Sequence, residues 1–249
     1  MCKCRKLLIG IAVALFWLSV WAIGAFAANR SLLMPLPYPW DVAVALWHLL
    51  GNGAFWVDVG ISLLRILVGF LAAAVTGVAL AVLTTRFRLV NTLFAPILSV
   101  IRAVPVASFI FLAFLWIAAD WMPIFISFLM VVPLVWENVR QGIRSTDRNL
   151  LEMARAFRLS RGRRFSHVWL PSVRPYLRVA LTTGFGFAWK SGIAAEIICT
   201  TGNSIGAQIS AAKSTMDYAA VFACTAIVVV LSVSLEYLLR RAIRKEVAE

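Results

Sequence analysis

Three ionisable side chains interrupt stretches in which almost every other residue is apolar. Arg102 stands within residues 94–118, and Lys190 and Glu196 stand within residues 177–200. An ionisable group among apolar residues is costly, so it usually faces a water-filled cavity or another charge. One hypothesis is therefore that Lys190 and Glu196 line a path for a solute, with Lys190 offering positive charge to an anion, and that Arg102 lies in the same path.

Each of these charges also has a structural interpretation. Glu196 then bonds to a neighbouring helix, and Lys190 extends its ammonium group to an interface. Arg102 is then held at an interface by a helix that Pro105 interrupts. Lys190 and Glu196 are six residues apart, roughly 9 Å along a helix, and do not share a face, so they are poorly placed to pair. Both interpretations stay open at this stage.

The residues that an enzyme or a metal site requires are missing from the sequence. His48 and His167 are the only histidines, and neither an HExxH nor a GxSxG pattern occurs. Residues 184–191 approach a phosphate-binding loop, but Trp189 stands where the second glycine is needed for close backbone approach. The cysteines lack zinc-type spacing and are interpreted as free thiols: they are Cys2, Cys4, Cys199 and Cys224. We therefore expect no catalytic residues, no metal and no nucleotide bound by this chain.

The composition places the chain in a membrane. Hydrophobic residues make up 62% of it and charged residues only 14%, whereas a soluble domain has about a quarter charged residues. A bilayer core about 30 Å thick needs roughly 20 apolar residues per helix. Six stretches reach or approach that length, namely 7–27, 61–83, 94–118, 122–136, 177–200 and 218–239. The predicted fold class is all-α integral membrane, with about six transmembrane helices in one domain over residues 1–249 and a core over 61–239.

The first stretch has a second interpretation. Basic residues precede it, and it ends with Ala25-Phe26-Ala27, which resembles a signal-peptide cleavage site. The apolar run spans 21 residues, longer than the roughly 7–15 of a signal peptide. This length favours a retained N-terminal helix.

The basic residues predict the orientation. With the N-terminus inside, the inner segments hold 19 of the 24 Lys and Arg; these segments are 1–6, 84–93, 137–178 and 239–249. Cytoplasmic segments of membrane proteins carry such an excess. We therefore expect a multi-pass cell-membrane protein with both termini in the cytoplasm, and the net charge of +13 requires no nucleic-acid partner.

Two smaller features complete the pattern. A short interfacial helix is predicted over residues 41–50, which follows Trp40 and contains Trp47. Gly69, Ala73 and Gly77 form a stripe of small residues suited to close packing against another helix.

The predicted cytoplasmic loop 137–178 contains an amphipathic helix-turn-helix. Asp147 is placed to cap a helix over 148–157, and Ser160 to cap a second short helix that Pro171 ends. On the first helix one face is apolar: Leu150, Met153, Ala154 and Phe157. The loop fits a segment lying on anionic lipid or a docking element for a cytoplasmic partner. Nucleic-acid binding is disfavoured, since basic inner loops are usual in membrane proteins.

Residues 152–154 and 168–171 resemble the cytoplasmic signature of permease subunits of binding-protein-dependent ABC importers. In that signature Glu-Ala-Ala, three residues, Gly, nine residues and Ile-x-Leu-Pro follow one another, and the span here is the same. Met153 and Arg158 stand where the family has Ala and Gly. The stretches 102–105, 142–147 and 188–196 resemble the subgroup that imports nitrate, sulfonates, taurine and related small anions.

The resemblance implies a type I importer permease fold with a coupling helix between helices 4 and 5. Two permeases, expected to be a homodimer in the lipid bilayer, then enclose the path. Cytoplasmic ABC ATPase subunits bind the ATP, and an extracytoplasmic solute-binding protein delivers cargo. The residues implied to couple to the ATPase are Glu152, Met153, Ala154, Arg155, Ala156, Phe157, Arg158, Leu170 and Pro171.

Other cargo and another transporter class remain as alternatives. Related permeases carry vitamins or vitamin precursors, of the thiamine-precursor or riboflavin type. A secondary transporter would usually show internal repeats and more helices, and neither is evident in the sequence.

Overall fold

The computed structural model describes residues 2–30 and 36–245, with side chains described for residues 9–30 and 36–242. These residues form α-helices and no β-strands. In chain order the helices are α1 (Cys2–Ala28), α2 (Pro39–Gly51), α3 (Gly53–Arg86), α4 (Arg88–Ala103), α5 (Val106–Ala113), α6 (Met122–Arg144), α7 (Arg148–Ala156), α8 (Arg161–Arg164), α9 (Leu170–Cys199), α10 (Ile205–Ser214) and α11 (Tyr218–Lys245). A 3₁₀ turn, Ala119–Trp121, precedes α6, and a π-helical turn, Phe165–Trp169, joins α8 to α9.

Several helices are long and apolar enough to cross a membrane. Among the described residues there are four, which are α1, α3, α6 with its preceding turn, and α11, and the pair α4 and α5 makes a fifth if it counts as one bent span. The predicted segment 177–200 lies in α9 apart from its last residue, Thr200, and α9 is not among these candidate spans. The predicted all-α membrane fold class is confirmed, and the count of about six transmembrane helices stays a prediction.

Pro105 interrupts the third apolar stretch, as predicted. Helix α4 ends at Ala103, α5 begins at Val106, and their axes differ by 107°. Val104 is extended, with φ −81° and ψ 135°, because the proline ring that follows disfavours helical geometry in the preceding residue. The bend directs the end of α4, with Arg102, along a different line from α5.

Helices α3, α6 and α9 form the centre of the structure and approach each other closely. A Cβ added to Gly69 would collide with the carbonyl oxygen of Ile124 on α6, and one added to Gly77 would lie 2.7 Å from the Cβ of Val135. On α9, a Cβ at Gly192 would lie 2.5 Å from the Cγ1 of Ile66. The predicted packing role of the small-residue stripe on α3 is confirmed.

Two predicted inner segments are shorter than expected. Only Phe87 separates α3 from α4, so most of the predicted segment 84–93 is helical. Helix α6 continues to Arg144 and α9 begins at Leu170, so the loop predicted over 137–178 spans only 145–169. The segment bounds were predicted from where the sequence stops being apolar. A helix can continue past that point through its backbone hydrogen bonds, so the connecting segments are shorter than the polar stretches.

Pro171 does not end the second cytoplasmic helix. It lies in the first turn of α9, where a missing N–H leaves no hydrogen bond broken. The preceding π-helical turn, in which the Leu170 N–H donates to the Phe165 carbonyl, connects α8 to α9 without a break. Helix α2 confirms the helix predicted over 41–50, whereas α10 is a helix that the sequence did not predict.

Candidate functional site

Helix α7 is an independent short helix whose first turn is capped as predicted. The Asp147 side chain accepts a hydrogen bond from the Asn149 N–H at 2.8 Å, which satisfies one of the unpaired donors at a helix N-terminus. The Ser160 Oγ accepts from the Arg163 N–H at 3.4 Å and caps α8. The helix-turn-helix predicted for this loop is thus present in its local features.

The apolar residues on one face of α7 differ in their exposure. Ala154 is fully buried against the rest of the protein, whereas Leu150, Met153 and Phe157 are 42%, 49% and 74% exposed. Glu152, Arg155, Ala156 and Arg158 are exposed as well. We call Leu150, Met153 and Phe157 the exposed apolar face of α7. Three large apolar side chains in water on one short helix are a typical surface for binding a partner protein.

Arg158 closes α7 in the left-handed conformation, with φ 50°. The Arg158 N–H donates to the Arg155 carbonyl at 2.9 Å, and the Leu159 N–H donates to the Ala154 carbonyl at 3.0 Å. This pair of bonds is the Schellman arrangement, whose left-handed residue is most often glycine. Arg158 is the position at which the resembling signature has glycine, so the turn keeps its geometry although the side chain differs.

Leu170 and Pro171 are exposed and are the first two residues of α9, directly after the loop. Leu170 lines two neighbouring cavities, and Pro171 lines one of them together with Arg174. They are separated from α7 by α8 and the π-helical turn.

Arg102 lines a cavity of about 380 Å³ between the bend at Pro105 and helices α6 and α9. The other polar side chains of this cavity are Glu137 and Asn138, and Phe187 of α9 lies among its apolar residues. We call it the Arg102 cavity. Its volume falls in the roughly 300–1,000 Å³ range of small-molecule sites.

Glu137 and Asn138 are polar residues of this cavity that the sequence analysis missed. They follow the apolar run 122–136 directly and were assigned to a loop. The signal in the sequence was that they directly follow an apolar helical run. If the helix continues past that run, its next polar side chains lie beside the polar residues of neighbouring helices. Among the described residues Glu137 makes no ion pair.

Glu196 lies elsewhere and is fully buried. Its Oε2 accepts a hydrogen bond from the Ser62 Oγ of α3 at 2.8 Å and from the Gly206 N–H at the start of α10 at 3.2 Å. The Ser62 Oγ in turn accepts from the Ile205 N–H at 3.0 Å. A carboxylate at a helix N-terminus is favourable, and this geometry matches the interpretation in which Glu196 bonds to neighbouring helices.

Lys190 is exposed on α9 and lines none of the cavities described here. The structure therefore does not bring Arg102, Lys190 and Glu196 together at one place. Of the three, Arg102 alone lines a described cavity of ligand size.

Comparisons with known proteins identify relatives over most of the chain. The family model described as "Binding-protein-dependent transport system inner membrane component" matches residues 66–246. The putative aliphatic sulfonates transport permease protein of Escherichia coli (strain K12) is 32% identical over 181 residues, covering 72% of this chain and 68% of its own. The nitrate import permease protein of Leptolyngbya laminosa is 31% identical over 206 residues, covering 78% of this chain and 72% of its own.

A solved structure shares the fold. The chain superposes on a subunit in the crystal structure of an amino acid ABC transporter with histidines, with a TM-score of 0.63 and 18% identity. The match covers 74% of this chain and 90% of that chain. The path of the backbone is thus common to both proteins over most of their length.

Proposed function

The chain belongs to the family of inner membrane components of binding-protein-dependent transport systems, and on this premise we propose that it is the membrane-spanning subunit of an ATP-driven importer of a small anion. It is an ABC transporter permease by its relatives. In the proposal, ATP hydrolysis takes place on a separate subunit, and this chain supplies the path through the membrane and the surface that receives the ATPase.

The exposed apolar face of α7 carries this proposal. Leu150, Met153 and Phe157 are exposed to water, although full burial of a large apolar side chain is favourable by roughly 1.5–3 kcal/mol and these three would gain part of it. A short amphipathic helix inserted into a groove on a partner buries such a face. The Asp147 cap and the Arg158 turn hold the helix at both ends, so a movement of the partner is passed to the chain as a whole.

The coupling role extends to residues around this face. Glu152 is exposed and makes no ion pair with a described residue, so it is free to meet a basic group of the ATPase. Met153, Ala154, Arg155, Ala156, Phe157 and Arg158 complete the docking segment. Leu170 and Pro171, at the start of α9, carry its displacement into the helix that crosses the centre of the structure.

The substrate class is a small anion. The relatives are named for aliphatic sulfonates and nitrate, and both are small anions. Arg102 places a permanent positive charge in a cavity between the α4–α5 bend, α6 and α9. In the proposal the Arg102 cavity is part of the path, Lys190 supplies a second positive charge, and Glu196 shapes the wall through its bonds to Ser62 and Gly206.

The assembly and orientation follow the family pattern. Two copies of the chain enclose the path, both termini are cytoplasmic, and an extracytoplasmic solute-binding protein delivers the anion. The broadly exposed apolar side chains of α1, α3, α5 and α11 support placement in the bilayer and against a second copy. The basic residues of the loop 145–169 support its cytoplasmic position.

The test is capture of the tagged chain from its native cells in mild detergent, followed by mass spectrometry. We expect an ABC ATPase with the wild-type chain, and its loss with Glu152→Arg and with Phe157→Asp. The matched control is Phe157→Leu, which keeps an apolar side chain and should retain the ATPase. If the wild-type chain captures no ATPase, or if both disruptive variants retain it, the docking role of α7 is wrong.

A further inference from the structure

Two cavities meet beside the loop end of the helix bundle and differ in character. The first, of about 450 Å³, is lined almost wholly by apolar side chains of α3, α6 and α9, with Arg86 as its charged residue. The second, of about 350 Å³, is lined by Arg155, Arg161 and Arg164. Phe165 and Trp169 line both cavities, so the two cavities adjoin at these side chains. Together they form a composite site with an apolar part and a strongly basic part.

The basic part has no anionic partner among the residues that the structure describes. Among the described residues, none of these arginines makes an ion pair with a carboxylate. The Nε of Arg164 is shielded from solvent and has no hydrogen-bond acceptor, and a buried donor left unpaired costs about 1–3 kcal/mol. Three guanidinium groups around one cavity are suited to an anion with several oxygen atoms, such as a phosphate.

The apolar part lies where the membrane-crossing helices reach their ends. Val78 and Val82 are on the last turns of α3, whose final residue is Arg86, and Val139 and Ile143 are on the last turns of α6. Arginine at the end of such a helix is typical of the boundary between hydrocarbon and headgroups. The apolar cavity thus lies beside the ends of two membrane-length helices, and the basic cavity lies on its loop side.

We propose that this bipartite site binds an anionic phospholipid, with an acyl chain in the apolar cavity and the phosphate on Arg161, Arg164 and Arg155. Basic pockets beside the cytoplasmic ends of membrane helices recognise anionic headgroups. The assignment of this lipid to the cytoplasmic leaflet rests on the proposed orientation. The binding of the lipid to the site does not depend on that orientation. The lipid then joins α3 and α6 to the loop that carries α7, because Phe165 and Trp169, which line both cavities, belong to the π-helical turn at the end of that loop.

A lipid explains the pair of cavities better than the ATPase does. The exposed apolar face of α7 consists of Leu150, Met153 and Phe157, none of which lines either cavity. Acidic side chains of a protein would pair with the arginines but would not fill the adjoining apolar cavity. An amphiphile with a negative headgroup fills both.

The experiment is native mass spectrometry of the purified full-length chain, titrated with phosphatidylglycerol or with phosphatidylcholine of the same acyl chains. We expect tight retention of phosphatidylglycerol and weak retention of phosphatidylcholine. In Arg161→Gln/Arg164→Gln the affinity for phosphatidylglycerol should fall about thirtyfold, from roughly 1 kcal/mol for each arginine. Val82→Trp, which fills the apolar cavity from an exposed position, should also weaken binding about tenfold or more.

The matched control removes the same charge nearby. Arg144→Gln/Arg163→Gln changes two exposed arginines that line neither cavity, and we expect nearly wild-type binding. Equal affinity for the two lipids, or an equal loss in the control, would overturn the proposal. It would also fail if Arg161→Gln/Arg164→Gln kept its lipid but lost the ATPase, since the basic cavity would then be a protein-docking surface. Lipid binding that persists in Val82→Trp would exclude the apolar cavity as the acyl-chain site.

Discussion

The Ser62 hydroxyl of α3 donates a hydrogen bond to the Glu196 carboxylate of α9 at 2.8 Å, and both residues are fully buried. The same carboxylate oxygen accepts from the Gly206 N–H, and the Ser62 Oγ accepts from the Ile205 N–H. Three helices, α3, α9 and the N-terminus of α10, are thus joined through one carboxylate and one hydroxyl.

Glu196→Ala should lower the free energy of unfolding by about 1–3 kcal/mol. The substitution leaves the Ser62 O–H and the Gly206 N–H buried without an acceptor, which costs about that amount. Glu196→Gln keeps an oxygen that accepts the same bonds, so its loss should be smaller. Denaturation of the purified chain in mixed micelles measures both, and equal stability of Glu196→Ala and wild type would show that these bonds add nothing net.

Gly77→Ala should destabilise the contact between α3 and α6 by roughly 1–3 kcal/mol, because its Cβ would lie 2.7 Å from the Cβ of Val135. Gly60 provides the control on the same helix, since a Cβ there meets no atom within 4 Å. Gly60→Ala should be neutral or stabilising by up to about 1 kcal/mol through helix propensity. Thermal unfolding in detergent compares the two, and the packing interpretation fails if both variants shift the transition alike.

Arg158→Gly should stabilise the turn after α7 by up to about 1 kcal/mol, because glycine adopts a φ near 50° without the steric cost that a Cβ imposes. Arg158→Val should destabilise the turn, since a β-branched side chain is poorly tolerated in this conformation. Arg163→Gly, within α8, is the contrasting control and should be unfavourable by about 0.5–1 kcal/mol. The measurement is the resistance of the loop 145–169 to limited proteolysis in each variant. If Arg158→Gly and Arg163→Gly changed this resistance in the same direction, the left-handed conformation assigned to Arg158 would be contradicted.

Arg102→Gln should raise the KM for anion uptake about tenfold or more, since a hydrogen bond between charged groups contributes roughly 1.5–3 kcal/mol. Arg102→Lys should lose less, because the charge remains. Arg88→Gln on the same helix is the control, as Arg88 is exposed and does not line the Arg102 cavity. Uptake into proteoliposomes containing the complete transporter is the measurement, and an unchanged KM for Arg102→Gln would remove this residue from the path.

Features that depend on neighbours along the chain were predictable from the sequence. The apolar stretches predicted the membrane-crossing helices, because a bilayer of given thickness needs a given number of apolar residues. Pro105 predicted the break between α4 and α5, and Asp147 and Ser160 predicted the starts of α7 and α8. Each of these effects acts within one turn or one peptide unit, so the local sequence is sufficient to determine it.

Features that depend on how helices rotate and pack were decided by the tertiary structure alone. Ser62 and Glu196 are 134 residues apart in the chain, and no local pattern pairs them. The helical periodicity placed Leu150, Met153, Ala154 and Phe157 on one face, but packing buries only Ala154 and leaves the other three exposed. The cavity that joins Arg102 to Glu137 likewise requires the bend at Pro105 to meet the continued helix α6. Periodicity determines which residues share a face, whereas the helices that pack against that face determine what it contacts.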